Sequence, residues 1–374
     1  MKAIQMVDLY SQYIKIKNEV DNSIQEVINS TAFINGSEVK KFQKEMESYL
    51  DVKHVIPCGN GTDALQIAMM SLGLKPGDEV ITGNFTFIAT VEVIALLGLK
   101  PILVDVDPKT FNIDPIEIER AITNKTKAIV PVHLFGQCAD MEKIIDIAEK
   151  HNLFIIEDTA QATGTEFIFP NNIKRKAGTI GHFGCTSFFP SKNLGCFGDG
   201  GAIFTNNDDY AQKARSIVNH GMNVRYYHDN VGVNSRLDSI QAAILRIKLQ
   251  HLNDYNSARQ KVALYYDNAF ADHQNLTIPH RIKNSTHIFH QYTIITKNIN
   301  RSGLIEFLKT KNIPAKIYYP LPVHKQKAYS DSNNKNKDFP VTENLCQNVL
   351  SLPMHTELDK EQLKYICDSI LEYL

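Results

Sequence analysis

The sequence predicts an α/β protein: a mainly parallel sheet covered by helices on both faces, followed by a smaller α+β unit. Three observations carry that expectation. Between residues 50 and 205, short β-branched runs alternate with stretches whose apolar residues recur at helical spacing. The runs are apolar throughout, which is the pattern of strands buried on both faces. After about residue 210 the alternation stops, and long helical stretches lead into a mixture of isolated strands and helices.

Each element has its own signal. "EVITG" (79–83) is strand-like and is followed by a helical "FIATVEVIALLGL" (87–99). Then come the strand-like "PILVDVD" (101–107), a helix near Pro115 to Ile122, and the strand-like "AIVPVHLFG" (128–136). "MEKIIDIAEKH" (141–151) places its apolar residues on one helical face. "LFIIED" (153–158), "HFGCTSFF" (182–189) and "GAIFT" (201–205) complete the strands. "DDYAQKARSIVNHG" (208–221) reads as a helix ending at Gly221, and residues 236–270 read as one long helical segment. Beyond it, "HQYTIIT" (290–296) and "AKIYYP" (315–320) are strand-like, while "SGLIEFLKTKN" (302–312) and "KEQLKYICDSILEYL" (360–374) are helical. The expected division is a large unit over 1–250 and a small C-terminal α+β unit over 251–374, joined by the long helix. The polar "SDSNNKNKD" (330–338) and the basic "NIKRK" (172–176) read as solvated loops.

Composition excludes several classes. The 374 residues are 43% hydrophobic and 22% charged, ordinary for a globular chain, and the formal net charge of -1 gives no steering onto nucleic acid or an anionic membrane. The six cysteines contain no CxxC pair and suit reduced thiols. The thirteen histidines form no HExxH-type set, so no metal site is expected. "MKAIQMVDLYSQY" turns polar too early for a signal peptide, and "VIALLGL" (93–99) is far too short to span a bilayer. The expected location is cytoplasmic.

Chemistry concentrates in three stretches. In "CTSFFPSKNLGCFGDGGAIFT" (185–205) an apolar run delivers one lysine, Lys192, to its edge and then passes into glycine-rich backbone. "LFIIEDTAQATG" ends a strand in Glu157 and Asp158, with Gln161 beyond, and strand C-terminal ends are where ligands sit in open α/β sheets. Asp158 could equally cap a following helix. "PCGNGTDALQIAMMSLGL" (57–74) is a glycine turn opening a helix, with Thr62 and Asp63 able to cap. Such a terminus presents free N–H groups and the positive dipole end to a phosphate, or is simply a capped helix. It is no dinucleotide fingerprint, since GxGxxG is missing. Together with the aromatics Phe85 and Phe87, these parts match what pyridoxal phosphate needs: a phosphate cradle, a lysine for its aldehyde, an anion facing the ring nitrogen, and an apolar plate. A carboxylate buried alone is costly, whereas against a pyridinium each charge holds the other ionised.

"NGTDAL", "FTFIAT", "EDTAQATG", "TSFFPSKNLGCFGDGGAI", "VGVNSRLDSIQAA" and "IYYPLPVHKQ" occur in this order along the chain. It thereby resembles the DegT/DnrJ/EryC1/StrS family of sugar aminotransferases, over essentially its whole length. The resemblance implies the fold-type I aspartate aminotransferase fold, a mainly parallel mixed sheet sandwiched by helices. It implies that Lys192 forms the Schiff base with pyridoxal phosphate and moves the proton, that Asp158 faces the ring nitrogen, and that Gln161 bonds the ring hydroxyl. Phe87 would stack on the ring, and Gly61, Thr62 and Ser187 would hold the phosphate. Asn234 would complete that cradle from the neighbouring subunit of a homodimer with shared active sites. Relatives that deoxygenate the sugar carry histidine in place of the lysine.

Within the family, "NGTDALQIAMM", "LFGQCADM" and the lysine segment look most like enzymes that aminate C3 of UDP-2-acetamido-2-deoxy-3-oxo-glucuronate with L-glutamate, for surface polysaccharide or O-antigen assembly. The alternative is a dTDP-linked 3-keto-6-deoxy sugar. Arg236 of "NSRLDS" is a candidate partner for a sugar carboxylate, and Tyr318 and Tyr319 line the same expected pocket. Tyr318 departs from the uronate-type pattern, which has histidine there, and brings no positive charge. His324 and Lys325 are candidates for the nucleotide diphosphate or donor carboxylate, or for an exposed loop. A protein that binds pyridoxal phosphate or a nucleotide sugar without catalysis is the rival reading. No appended domain supports it.

Overall fold

The computed structural model describes residues 2–329 and 338–374. Residues 330–337 of the polar stretch read above as a loop lie outside the described residues. Two helices that the sequence reading passed over come first, α1 (Leu9–Ser30) and α2 (Ser37–Leu50). The alternating region follows: β1 (His54–Cys58), α3 (Gly61–Ser71), β2 (Glu79–Gly83), α4 (Ala89–Leu96), β3 (Lys100–Val104), α5 (Pro115–Ala121), β4 (Thr126–Val130), α6 (Met141–His151) and β5 (Phe154–Asp158). A short hairpin of β6 (Glu166–Ile168) and β7 (Lys174–Lys176), anchored by the buried Phe167, precedes β8 (Phe183–Ser187) and β9 (Gly201–Thr205). The basic "NIKRK" is therefore partly strand.

Seven strands form the main sheet in the order β1-β9-β8-β5-β4-β2-β3. Pairs from β8 to β3 are parallel, and β9 runs antiparallel to both its neighbours. Alternation of side chains divides each strand between two cores. Ala128, Val130, Ile156 and Phe183 pack with Leu65, Ala68 and Ile217 on one face, whereas Ile129 and Ile155 pack with Met141 and Ile144 of α6 on the other. That double burial is why these strands read as unbroken apolar runs.

After α7 (Asp208–Ile217), a hairpin of β10 (Met222–Val224) and β11 (Tyr227–His228) leads to α8 (Ser239–Gln250) and α9 (Leu252–Phe270). Two expectations are corrected here. The helix at 208–221 ends at Ile217, because His220 and Gly221 take positive φ. The long helix over 236–270 is two helices that meet at His251, at φ -99° and ψ 0°.

The remaining elements are β12 (Leu276–Thr277), β13 (Tyr292–Thr296), α10 (Arg301–Thr310), α11 (Pro340–Asn348), β14 (Val349–Leu352) and α12 (Lys360–Tyr373). A three-stranded sheet, β12-β13-β14, packs with α9, α10 and α12 around Tyr266, Tyr292, Leu304 and Ile366, and Ile4 from the N-terminus joins this core. "AKIYYP" is not a strand: only Lys316 bridges to Ser351, after which the chain passes through Tyr318 and Tyr319 into the site described next.

Candidate active site

Two neighbouring acids end β5, and the alternation of the strand separates them. Glu157 is fully buried and accepts hydrogen bonds from the backbone N–H groups of Gly178, Ile180 and Gly181 at 2.6–2.8 Å, and from His133 Nε2 at 2.9 Å. His133 Nδ1 accepts from Ala139 N–H, so the proton sits on Nε2 and points at Glu157. Four donors leave this carboxylate little to offer a ligand. Its work is to tie the 178–181 turn to the sheet.

Asp158 faces the other way and is 6% exposed. Its Oδ2 accepts from Thr90 Oγ1 at 2.8 Å, and its Oδ1 accepts from Ala160 N–H at 3.1 Å. No helix follows, so the capping alternative does not apply: residues 160–163 form turns. Each carboxylate oxygen is thus held by one donor from the protein.

Lys192 lies in the turn after β8, its N–H donating to Phe189 O at 2.8 Å. The residue is of intermediate exposure. Burial pulls its pKa from 10.5 down to about 8, and the Asp158 charge opposes that fall. Among the described residues the amine makes no hydrogen bond or ion pair. A lysine whose pKa is lowered this far, uncommitted and within electrostatic reach of a carboxylate, is more readily deprotonated to a nucleophile than a surface lysine.

The N-terminus of α3 supplies donors. Asn60 is the cap, its Oδ1 accepting from Asp63 N–H at 2.8 Å, where Thr62 or Asp63 was expected. Asp63 instead accepts from Ser235 Oγ at 2.6 Å, and Ser235 Oγ accepts from Gly59 N–H at 2.9 Å. This leaves the N–H groups of Gly61 and Thr62 without partners among the described residues. A Cβ placed on Gly61 would lie 2.6 Å from Ser187 Cβ, so the helix end and Ser187 are in close contact and their donors converge. Ser187 Oγ accepts from Phe189 N–H at 3.2 Å, which leaves its own hydrogen free. Two amides, the Ser187 hydroxyl and a helix dipole make a donor set suited to a phosphate.

The aromatic part is divided. Phe85 is buried in a core with Phe111 and Phe135, while Phe87 is 56% exposed and its ring lies 6.3 Å from that of Tyr319. Phe87 is thus available as a plate and Phe85 is not. Gln161 Oε1 accepts from Phe135 N–H at 2.7 Å and its Nε2 donates to Tyr319 Oη at 3.0 Å, leaving one amide hydrogen for a ligand. Burial raises the Tyr319 hydroxyl far above its ordinary range and raises that of half-buried Tyr318 as well, so both stay protonated.

His324 is not in an exposed loop. Its side chain is 9% exposed, with Nδ1 2.7 Å from Asn84 Nδ2 and Nε2 3.3 Å from Glu343 Oε1. Both ring nitrogens are committed, and Lys325 pairs with the same Glu343 at 2.9 Å. Asn234 is exposed and bridges to Asn219. Arg236 Nε is buried without a hydrogen-bond partner, and the residue lines a cavity of about 630 Å³ with Asn35, Asn219 and Arg225. Ser235, between them, ties this segment to Gly59 and Asp63.

The fold thus brings Lys192, Asp158, Gly61, Thr62, Ser187, Gln161, Phe87 and Tyr319 to the C-terminal ends of β1, β2, β5 and β8 and the turns beyond them. Thr90, which holds Asp158, was missed; it stands inside the quoted "FTFIAT", but a threonine at a helix start carries no signal of a partner 68 positions away.

The family model of the DegT/DnrJ/EryC1/StrS aminotransferase family matches residues 14–371. The chain is 45% identical over 372 residues to the "Pleiotropic regulatory protein" of Geobacillus stearothermophilus, covering 99% of this chain and 98% of that one. It is 44% identical over 367 residues to the UDP-2-acetamido-2-deoxy-3-oxo-D-glucuronate aminotransferase of Pseudomonas aeruginosa, covering 98% and 99%. A crystal structure of a DegT DnrJ EryC1 StrS aminotransferase from Brucella abortus superposes with a TM-score of 0.94 at 40% identity, covering 99% of each chain.

Proposed function

The chain belongs to the DegT/DnrJ/EryC1/StrS aminotransferase family, pyridoxal-phosphate enzymes, and we propose that it moves an amino group from L-glutamate to C3 of UDP-2-acetamido-2-deoxy-3-oxo-glucuronate. The observation that carries a transamination reading is the uncommitted amine of Lys192, its pKa lowered by burial to about 8, beside the buried carboxylate of Asp158. The substrate class is supported by the 44% identity, spanning both chains, to the Pseudomonas enzyme that acts on this sugar nucleotide. The product would serve surface polysaccharide assembly.

The residues fit the cofactor. Pyridoxal phosphate supplies, when bound, an aldehyde for amine exchange and an electron-accepting ring. Asp158, held in place by Thr90 and Ala160, would face the ring nitrogen and stabilise a proton on it. The N–H groups of Gly61 and Thr62 and the hydroxyl of Ser187 would bind the phosphate, with Asn234 of a second copy completing the seat in a homodimer. Gln161 would donate its remaining amide hydrogen to the ring hydroxyl, and Phe87 would cover one ring face and exclude water. Lys192 would take a proton at its amine from the substrate carbon and return it, general base work worth roughly 10²–10⁴-fold.

Arg236, Tyr318 and Tyr319 would meet the sugar. Tyr318 favours a second reading, a dTDP-linked 3-keto-6-deoxy sugar, since a neutral hydroxyl is no special partner for a carboxylate at C6. Incubation of the holoenzyme with L-glutamate and a panel of keto-sugar nucleotides, followed by mass, decides. Amination of the UDP-uronate above the others supports the first reading, preference for the dTDP sugar supports the second, and no amination of any keto sugar defeats both.

A further inference from the structure

Lys192 is followed by a side chain built into the protein far more firmly than a turn needs. Asn193 is 5% exposed. Its Nδ2 donates to Asn256 Oδ1 of α9 at 2.8 Å and approaches Ile288 O at 3.4 Å. Its Oδ1 lies 3.2 Å from His290 Nδ1. Because the amide nitrogen is spent on two acceptors, the oxygen must accept, and His290 donates from Nδ1. Asn256, 6% exposed, passes its own Nδ2 to Thr163 O at 3.3 Å, in the turn that also carries Gln161.

His290 is fixed independently. It is 6% exposed, its backbone N–H donates to Phe135 O at 2.9 Å, and its carbonyl accepts from Arg259 Nη1 at 3.2 Å. The Phe135 N–H in turn donates to Gln161. The chain His290–Asn193–Asn256–Thr163 therefore links the lysine turn to the Gln161 turn by buried, directional bonds. Burial, with the charges of Lys192 and Arg259, holds the imidazole far below its ordinary pKa and hence neutral. A neutral ring is required, since a second cation beside Lys192 would oppose its approach to Asp158.

We propose that His290 is a positioning residue for Lys192: through Asn193 it fixes the turn that aims the amine at Asp158. The proposal rests on the reading of Lys192 given above. Misplacing a reacting group by about 1 Å costs on the order of 10²-fold, so the tether has room to matter. His290→Phe keeps a flat ring but removes the donor, while His290→Gln retains an N–H that can reach Asn193 Oδ1.

The test follows the amine without cofactor. Apo protein is acylated with acetic anhydride across pH, and the extent of modification at Lys192 is read by peptide mass spectrometry in wild type and both variants. Turnover of each holoenzyme is measured alongside, and circular dichroism monitors the fold. In His290→Phe the midpoint of Lys192 acylation is expected to move up from about 8, as the loosened amine gains water, and kcat to fall roughly ten- to a hundredfold. His290→Gln is expected to restore most of both. An unchanged acylation midpoint in folded His290→Phe, or equal impairment in both variants, overturns the proposal. The parent reading stands or falls separately, on whether wild-type Lys192 takes up pyridoxal phosphate at all.

Discussion

Thr90 Oγ1 donates a 2.8 Å hydrogen bond to Asp158 Oδ2, and both side chains are buried. A hydrogen bond to a charged group contributes about 1.5–3 kcal/mol, so the threonine holds the carboxylate in place and satisfies a buried oxygen. Thr90→Val preserves shape and removes the donor. It is expected to lower kcat by roughly tenfold or more with KM little changed, in steady-state kinetics of the holoenzyme. An unchanged kcat would show that Asp158 needs no such support.

Adjacent acids on β5 predict opposite phenotypes. Glu157→Gln turns an NH₂ group toward backbone N–H donors and should lower stability by about 1–3 kcal/mol or more, seen as a drop in Tm. Asp158→Asn should leave Tm near wild type and cost about 10²-fold or more in kcat, the scale of losing a well-placed electrostatic partner. Thermal melts and kinetics on the two variants, run together, separate the structural acid from the functional one.

Lys192→Ala is expected to abolish turnover while circular dichroism stays native. The lysine also destabilises the apo protein. Its folded pKa, about 8, lies below the ordinary 10.5, so at neutral pH the fold holds a charge it disfavours. Between about pH 8 and 10.5 the native state releases a proton that the unfolded state keeps, and stability rises with pH. Apo Lys192→Met should therefore be more stable than wild type at pH 7, by about 1 kcal/mol or more, with the gap closing as pH rises through that window. Urea melts at pH 7 and pH 10 check the sign.

Gly61→Ala would place a methyl group 2.6 Å from Ser187 Cβ and push the helix end off the strand. Overpacking of this kind costs about 1–3 kcal/mol, and here it separates the donors meant for the phosphate. Weaker uptake of pyridoxal phosphate, followed by its absorbance on titration, is the expected result, with the fold retained.

What could be read from the sequence was local. Strands buried on both faces announce themselves as apolar runs, and Lys192, Asp158 and the α3 turn stand in quotable motifs. Partnerships across the chain could not be read. Nothing near Glu157 reveals that the N–H groups of Gly178, Ile180 and Gly181 would occupy it. His324 read as a ligand for a diphosphate or carboxylate, or as an exposed loop residue, because its partners, Asn84 and Glu343, lie on distant elements. The break at His251 fell inside an unbroken helical pattern, since α8 and α9 each keep a buried face. "AKIYYP" has strand composition, but only Lys316 finds a bridge partner.

The most direct measurement is borohydride reduction of the protein loaded with pyridoxal phosphate, followed by peptide mapping. The account predicts a single pyridoxyl label, on Lys192, and loss of that label in Lys192→Ala. A label on another lysine, with Lys192 untouched in folded protein, would contradict it.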